Sequence, residues 1–364
     1  MSKDSARPGE IRDLAKKTWE VPELPERYLL DLRSECNLAC PMCLLHGSDD
    51  DEAKEGAIGK MEFDQATQIL DEIKEVKPLI QPSMWGEPLL AKNLRDHLQN
   101  MKDRGISVCM NTNGLTLREP LARFFVEVGL DSIFFSLDST TPETLKKVRG
   151  VNKLQKIEDN LRLMLRVREE MGATMPRIGA TFTVQDENEH ELEEFIDKWV
   201  QEVDVVRVGT VFEDGGLTGI STPQERVPCG ALYHTMPIHF DGNVSICCFD
   251  SFATEIVGNV FTDGGVKGVW HGDKLNKIRH YHETNQYDKV PFCKDCNAWA
   301  GYVYEEEVTK RAGVAVLERR SHQFVYYNRL DRMDSWHENL RGHEPPDFEA
   351  LEQIDLDEFV AEEA

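Results

Sequence analysis

Cys36-Asn37-Leu38-Ala39-Cys40-Pro41-Met42-Cys43 places three thiols within eight residues, in a C-x3-C-x2-C spacing. The segment follows directly on an apolar run at 28–33 that reads as a strand. Thiolates favour soft metals, and spacing separates the candidates. A structural zinc site takes four ligands, often as two C-x2-C pairs. Three close thiolates with no local fourth leave one metal position open. A [4Fe–4S] cluster suits that arrangement, with three irons on cysteine and the fourth on a ligand from outside. A three-cysteine zinc loop is the alternative on spacing alone.

Outward from this segment, extended runs alternate with helical periods as far as residue 212. The strand candidates are 28–33, 79–84, 107–111, 132–137, 178–184 and 205–211. Amphipathic stretches at 63–76, 93–104, 119–128, 151–171 and 189–202 lie between them. Strand and helix in alternation imply an α/β fold with a parallel sheet and helical crossovers. Six strands are fewer than the eight of a closed barrel. A partial barrel and an open doubly wound sheet both fit the pattern.

Residues 1–27 form a polar lead-in with a short helix expected near 11–19. Residues 28–212 form the core unit, and 213–228, rich in Gly, Thr and Pro, a linker. Residues 229–300 form a small second domain with a hairpin around Asp241–Gly242 and a helix near 274–283. Residues 301–364 comprise an expected helical region to about 342 and an acidic C-terminal tail.

The 364-residue chain has a formal charge of −24 and 40% hydrophobic residues. That supports a substantial core and argues against a nucleic-acid partner, because the field repels phosphate backbones. No charged start followed by an apolar run marks a signal peptide, and no stretch reaches the roughly 18 apolar residues of a membrane span. A cytoplasmic protein with no membrane partner is expected. In that compartment nine cysteines point to metal or redox chemistry rather than to structural disulfides.

The second domain holds Cys229, Gly242 and Cys247 in a C-x12-G-x4-C pattern, then Cys293-Lys294-Asp295-Cys296. On spacing alone these four thiols also suit zinc, as C-x17-C…C-x2-C. Cys248 reads as a small buried residue on the opposite face of a strand from Cys247. A sharper reading makes it a hydrogen-atom donor. Cys109, Met84 and Met110 read as core.

The first cluster resembles the cysteine motif of the radical S-adenosylmethionine (SAM) superfamily, with Met42 where that family usually has an aromatic residue. The resemblance implies that the open iron chelates the amino and carboxylate groups of SAM. Trp85-Gly86-Glu87-Pro88 resembles the family's Gly-Gly-Glu motif, with Trp85 in place of the first glycine. Gly86 would admit close backbone approach, and Glu87 would bond the methionine ammonium. Asn111-Thr112-Asn113-Gly114, Ser136-Leu137-Asp138 and Arg149-Gly150 resemble family positions near SAM. Asn113 and Asn188 also fit caps or turns, while Ser136 and Arg149 suit polar contacts to SAM. Most of these motifs end strands, where α/β folds place ligands. The second cysteine set, with Ile256-Val257-Gly258-Asn259-Val260 and Val269-Trp270, resembles the family's C-terminal SPASM and twitch domains. Four cysteines suggest one fully ligated auxiliary [4Fe–4S] cluster.

The implied fold is a partial (β/α)6 TIM-like barrel with a small C-terminal SPASM/twitch iron–sulfur domain. The implied cofactors are a SAM-binding [4Fe–4S] cluster, a second auxiliary [4Fe–4S] cluster and SAM itself. The implied chemistry is reductive cleavage of SAM, removal of a hydrogen atom from an unactivated carbon, and collection of an electron by the second cluster. The cysteine layout is similar to that of twitch dehydrogenases such as 2-deoxy-scyllo-inosamine dehydrogenase, which implies oxidation of a hydroxylated small metabolite. A peptide-modifying maturase or epimerase of the same superfamily and a non-catalytic zinc module are the alternatives. The partners implied are a small-molecule or peptide substrate and an electron donor such as flavodoxin or ferredoxin. No catalytic base stands out. Arg207, Glu213, Asp214 and His46 are near enough in sequence, but each reads as an ordinary surface or loop residue.

Overall fold

Six short strands run parallel and pair in chain order: β1 (Arg27–Leu30), β2 (Leu79–Gln81), β3 (Ser107–Thr112), β4 (Ser132–Ser136), β5 (Arg177–Val184) and β6 (Val205–Thr210). A doubly wound sheet reverses its strand order at a switch point. Here the order never reverses, which selects the partial barrel over the open alternative. The computed structural model describes residues 20–335 apart from 214–215, 220–224, 303 and 322. The expected helix near 11–19 and the acidic tail lie outside the described residues.

Alternation along the strands separates two environments. Ile80, Met110, Ile133, Phe135, Ile178, Phe182 and Val206 are buried in the main apolar core. Their neighbours Gln81, Asn111 and Arg207 face a cavity instead. The helices covering the core are α1 (Asp51–Ala57), α2 (Phe63–Ile73), α3 (Leu94–Lys102), α4 (Glu119–Glu127), α5 (Pro142–Arg149), α6 (Leu154–Glu170) and α7 (Leu192–Trp199). In α2 the buried residues Ala66, Ile69, Leu70 and Ile73 fall at the 3.6-residue period, one stripe against the sheet. Each larger apolar side chain so buried contributes about 1.5–3 kcal/mol of transfer free energy.

Helix α5 is separate from α6. Thr141 Oγ1 accepts from Thr144 N–H, Pro142 opens the first turn, and Gly150 ends it in the left-handed region at φ 74°. Arg149 is therefore the last residue of its own short helix, not part of the helix that follows.

Neither barrel edge is bare. A two-residue pair, β7 (Phe212–Glu213) and β8 (Gly216–Leu217), follows β6. After α8 (Ala231–His234), β9 (Thr235–Ile238) lies parallel on β1, and β10 (Asn243–Ser245) and β11 (Ile256–Asn259) continue the sheet antiparallel. The β9–β10 turn holds Gly242 at φ +85°, which strains any residue with a Cβ. Helices α9 (Gly265–Trp270) and α10 (Asp273–Glu283) complete this part.

The other edge overturns the helical reading of 301–342 between residues 304 and 329, while 336–342 lie outside the described residues. Residues there form an antiparallel meander, β12 (Tyr304–Arg311), β13 (Val314–Ser321) and β14 (Phe324–Arg329), with β14 paired to β6. Ala312 and Gly313, at φ 49° and 81°, make a two-residue turn with both central residues left-handed, the type that matches strand twist. Val308, Val316 and Leu317 are buried, and Val308 faces Leu317 across the β12–β13 hairpin.

Asp204 ties this meander to the barrel. It is 1% exposed and accepts from Ile178 N–H at 2.7 Å, from Arg332 at 2.8 Å and from Arg168. Burial pushes its carboxyl up, but the Arg168 hydrogen bond and charge outweigh that and hold it below the ordinary aspartate range. Asp204→Ala should cost about 3–5 kcal/mol, because a buried guanidinium loses its partner. A depressed folded pKa stabilises fully above the unfolded value and is lost as pH falls through the folded value. Urea unfolding should therefore show the widest gap between wild type and variant at neutral pH. The gap should narrow near pH 3.

Candidate functional site

The cysteine loop leaves β1 and is shaped by turns rather than by regular structure. Cys43 N–H donates to Cys40 O, and Gly47 N–H donates to Cys43 O, both at 2.9 Å. A Cβ on Gly47 would meet the carbonyls of Cys40, Pro41 and Cys43 at 2.5, 2.6 and 2.8 Å. The chain wraps this closely only around glycine. Gly86 plays the matching part on the next strand end: a Cβ there would collide with the carbonyl of Arg33, and Glu87 N–H bonds Glu35 O at 2.9 Å. The ends of β1 and β2 are thereby locked backbone to backbone.

Cys36, Cys40 and Cys43 line one cavity of about 290 Å³ together with Gly86, Glu87, Asn113, Ser136 and Arg149. All eight residues singled out around the first motif thus share one space. Backbone N–H groups of Leu38 and His46 donate to the sulfurs of Cys36 and Cys43 at 3.4 and 3.3 Å, and the Asn113 amide lies 3.9 Å from Cys36 Sγ. N–H groups aimed at sulfur stabilise thiolate and tune cluster potential. Burial raises the Cys36 thiol and pushes the Cys40 thiol up to about 11, against the pull of the Arg149 cation. Metal binding has to displace that proton.

Glu87 is 2% exposed and knits two strand ends. It accepts from Thr112 Oγ1 and Asn113 N–H, each at 2.7 Å, and from Leu89 N–H at 3.0 Å. Asn113 donates to Asn37 Oδ1 at 2.8 Å and accepts from Leu115 N–H at 3.0 Å, so it anchors the cysteine loop as well as a turn. Arg149 is buried against Asp138, with Nε to Oδ2 at 2.6 Å. Asp138 is itself held at φ +60° by accepting from Thr183 N–H at 2.7 Å. Asn188 is a turn residue, bonded to the carbonyls of Asp138 and Thr183 and to Gln185 N–H.

Cys229, Cys247, Cys293 and Cys296 line a second cavity of about 340 Å³. Cys296 Sγ accepts from Ala298 N–H at 3.3 Å. Burial pushes the Cys293 thiol up to about 12 and raises the other three as well. Cys248 also lines this cavity. The strand β10 stops at Ser245, so Cys247 and Cys248 sit in a turn and the alternation that would separate them does not apply. The two cavities adjoin, sharing Met84, Trp85, Asn111 and Phe249. Met84 is therefore a lining residue and not simply core, whereas Met110 is fully buried. Phe249 stacks on Phe212 at 4.2 Å and 9°.

Both cysteine sets fit iron–sulfur clusters on donor chemistry. Among the described residues no group of three His, Cys, Asp or Glu side chains is placed to hold a single metal ion. The three-thiol set leaves a cluster one open iron, and the four-thiol set leaves none. Of the four candidates for a base, His46 is tied to Ser34 O at 2.8 Å, Glu213 is exposed, and Asp214 lies outside the described residues. Arg207 points into the second cavity and is not a surface residue. Gln81 and Arg27 line it too and carry no motif that would have marked them. No helix among the described residues is long and apolar enough to cross a membrane.

The radical SAM superfamily model matches residues 34–198, and the SPASM iron–sulfur cluster-binding domain model matches 229–297. A tungsten-containing aldehyde ferredoxin oxidoreductase cofactor-modifying protein of Pyrococcus furiosus is 25% identical over 72% of this chain and 73% of its own length. A probable GTP 3′,8-cyclase of Sulfolobus acidocaldarius is 33% identical over 37% of this chain and 42% of its own. Among solved structures, Streptococcus suis SuiB bound to its precursor peptide SuiA has a TM-score of 0.56 at 16% identity, covering 77% of this chain and 72% of that one. Native anSMEcpe with bound AdoMet has a TM-score of 0.55 at 13% identity, covering 76% and 89%. The chain belongs to the radical SAM superfamily: it is a SAM- and [4Fe–4S]-dependent enzyme whose radical SAM domain is followed by a SPASM auxiliary-cluster domain.

Proposed function

We propose that this enzyme dehydrogenates a hydroxylated small metabolite of natural-product, sugar or cyclitol type. The observation that carries the reading is the pairing of the two cavities, one lined by three thiols and one by four, with Asn111, Met84, Trp85 and Phe249 common to both. Bound there, the first cluster with SAM supplies a hydrogen-abstracting radical, and the second supplies an acceptor for one electron.

In this reading Cys36, Cys40 and Cys43 hold the first cluster, and Gly86, Glu87, Asn113, Ser136 and Arg149 frame SAM. Cys229, Cys247, Cys293 and Cys296 hold the second cluster and leave no iron for substrate. The stacked Phe212 and Phe249 help to keep water from the space between. A flavodoxin- or ferredoxin-type donor supplies the first electron. The cofactor-modifying role of the Pyrococcus relative supports a small molecule over a peptide. Reconstituted enzyme incubated with candidate alcohols should give product two mass units lighter with stoichiometric 5′-deoxyadenosine. Product of unchanged mass would overturn dehydrogenation.

Cys248 supports a second reading, a peptide-modifying maturase or epimerase, because its thiol lines the cavity beside the four ligands. Solvent deuterium at a product carbon, lost in Cys248→Ala, would favour the epimerase form.

A further inference from the structure

The chain carries 66 acidic and 42 basic side chains. The described lining of the second cavity reverses that balance: it includes Arg27, Arg207 and Arg226 and no aspartate or glutamate. Arg226 is engaged by the cysteine turn. It donates to the carbonyls of Lys294 and Cys293 at 2.9 and 2.7 Å and lies 3.9 Å over the Tyr287 ring. That placement suits the charge of a four-thiolate cluster.

Arg207 and Arg27 are differently placed. They project from β6 and β1, the last and first parallel strands. The Arg207 guanidinium sits over the rings of Phe134 and Phe324 at 4.8 and 5.6 Å, and donates to Asn111 Oδ1 at 3.1 Å. Rings and amide fix its plane without neutralising its charge, and among the described residues no carboxylate pairs with it. Arg27 donates to Gln81 Oε1 at 3.2 Å, and Gln81 Nε2 donates in turn to Ser83 O at 3.0 Å. Asn111 lines both cavities, so Arg207 stands at their junction. A half-buried, oriented guanidinium with neutral neighbours is built to receive an anion, and its fork matches carboxylate or phosphate.

We propose that the substrate carries an anionic group, a carboxylate or a phosphate, held by the Arg207 fork. This rests on the reading that the adjoining cavities hold the substrate, but not on the reaction being a dehydrogenation.

The test is anaerobic titration calorimetry of the full-length, cluster-reconstituted enzyme with SAM, using glucose, gluconate and glucose 6-phosphate as probes of similar size. At least one charged probe should bind about tenfold or more tighter than glucose. Tighter gluconate identifies a carboxylate site, and tighter glucose 6-phosphate a phosphate site. Arg207→Gln should remove that preference, and Arg207→Lys, which keeps the charge but loses the fork, should retain only part of it. Unchanged iron content and SAM affinity in both variants establish that they are folded. Equal binding of all three probes, no binding of either charged probe, or an Arg207→Gln enzyme that keeps the preference would overturn the proposal. Binding is read without turnover, so a product of unchanged mass would sink dehydrogenation and leave this result standing.

Discussion

Replacing Cys36, Cys40 and Cys43 together by alanine is expected to abolish SAM cleavage and to leave the second cluster in place. Iron should fall from about eight to about four per chain, and 5′-deoxyadenosine should drop below detection. The reason is local. All three thiols sit on one loop between β1 and α1, tied down by Gly47, Gly86 and Asn113. The four thiols of the second set lie after residue 228, on other elements, and line a different cavity from the first set. The replaced side chains are small and border a cavity, so the apolar core is untouched and far-ultraviolet circular dichroism should match wild type. Iron and sulfide analysis with chromatography of the nucleoside product measures both effects. A variant that keeps all its iron, or still cleaves SAM, would show that the cluster is held elsewhere.

The barrel was legible because its strands alternate within short apolar runs and its helices keep a 3.6-residue stripe. What pattern could not supply was strand order, which separates a partial barrel from a doubly wound sheet and depends on long-range pairing. Helix α5 was readable and was missed. Thr141-Pro142 and Gly150 are start and stop signals eight residues apart, but the charged run of Lys146, Lys147 and Arg149 hides the buried Leu145 and Val148. The meander β12–β14 was misread because its charges alternate with apolar residues over too short a span to fix a period. Its turn, moreover, places an alanine, Ala312, at positive φ, where glycine or asparagine is the usual sign.

The site divides the same way. The seven cysteines were found by spacing, since spacing is what a thiolate cluster needs. Arg27, Gln81 and Arg207 have no spacing signature. They belong together only because the barrel curves and the lumen-facing residue of each strand meets those of the others. Cys248 turned on a single boundary. Three more residues in β10, which ends at Ser245, would have pointed its thiol away from Cys247.

The complementary experiment removes the second cluster and keeps the first. Cys293→Ala with Cys296→Ala should leave SAM cleavage within about threefold of wild type, while oxidised product falls about a hundredfold or more. These two cysteines are the right pair to remove. Cys247 adjoins Cys248 and Phe249, and Phe249 lines both cavities and stacks on Phe212, so changes there would disturb the first site as well. The Cys293–Cys296 turn contributes nothing to the described lining of the first cavity. Its backbone is held by Arg226, through the carbonyls of Cys293 and Lys294, and by Cys293 N–H on Val290 O at 2.9 Å, all of which survive the substitutions. Loss of two of four thiolates leaves the cluster too few ligands to persist. If the second cluster collects the electron left after hydrogen removal, 5′-deoxyadenosine should then form without the two-mass-unit loss, and the ratio of the two products reports the uncoupling directly. If both fall together, the second cluster serves the integrity of the first site. If neither falls, the electron leaves by another route and the pairing of the two cavities has a different purpose.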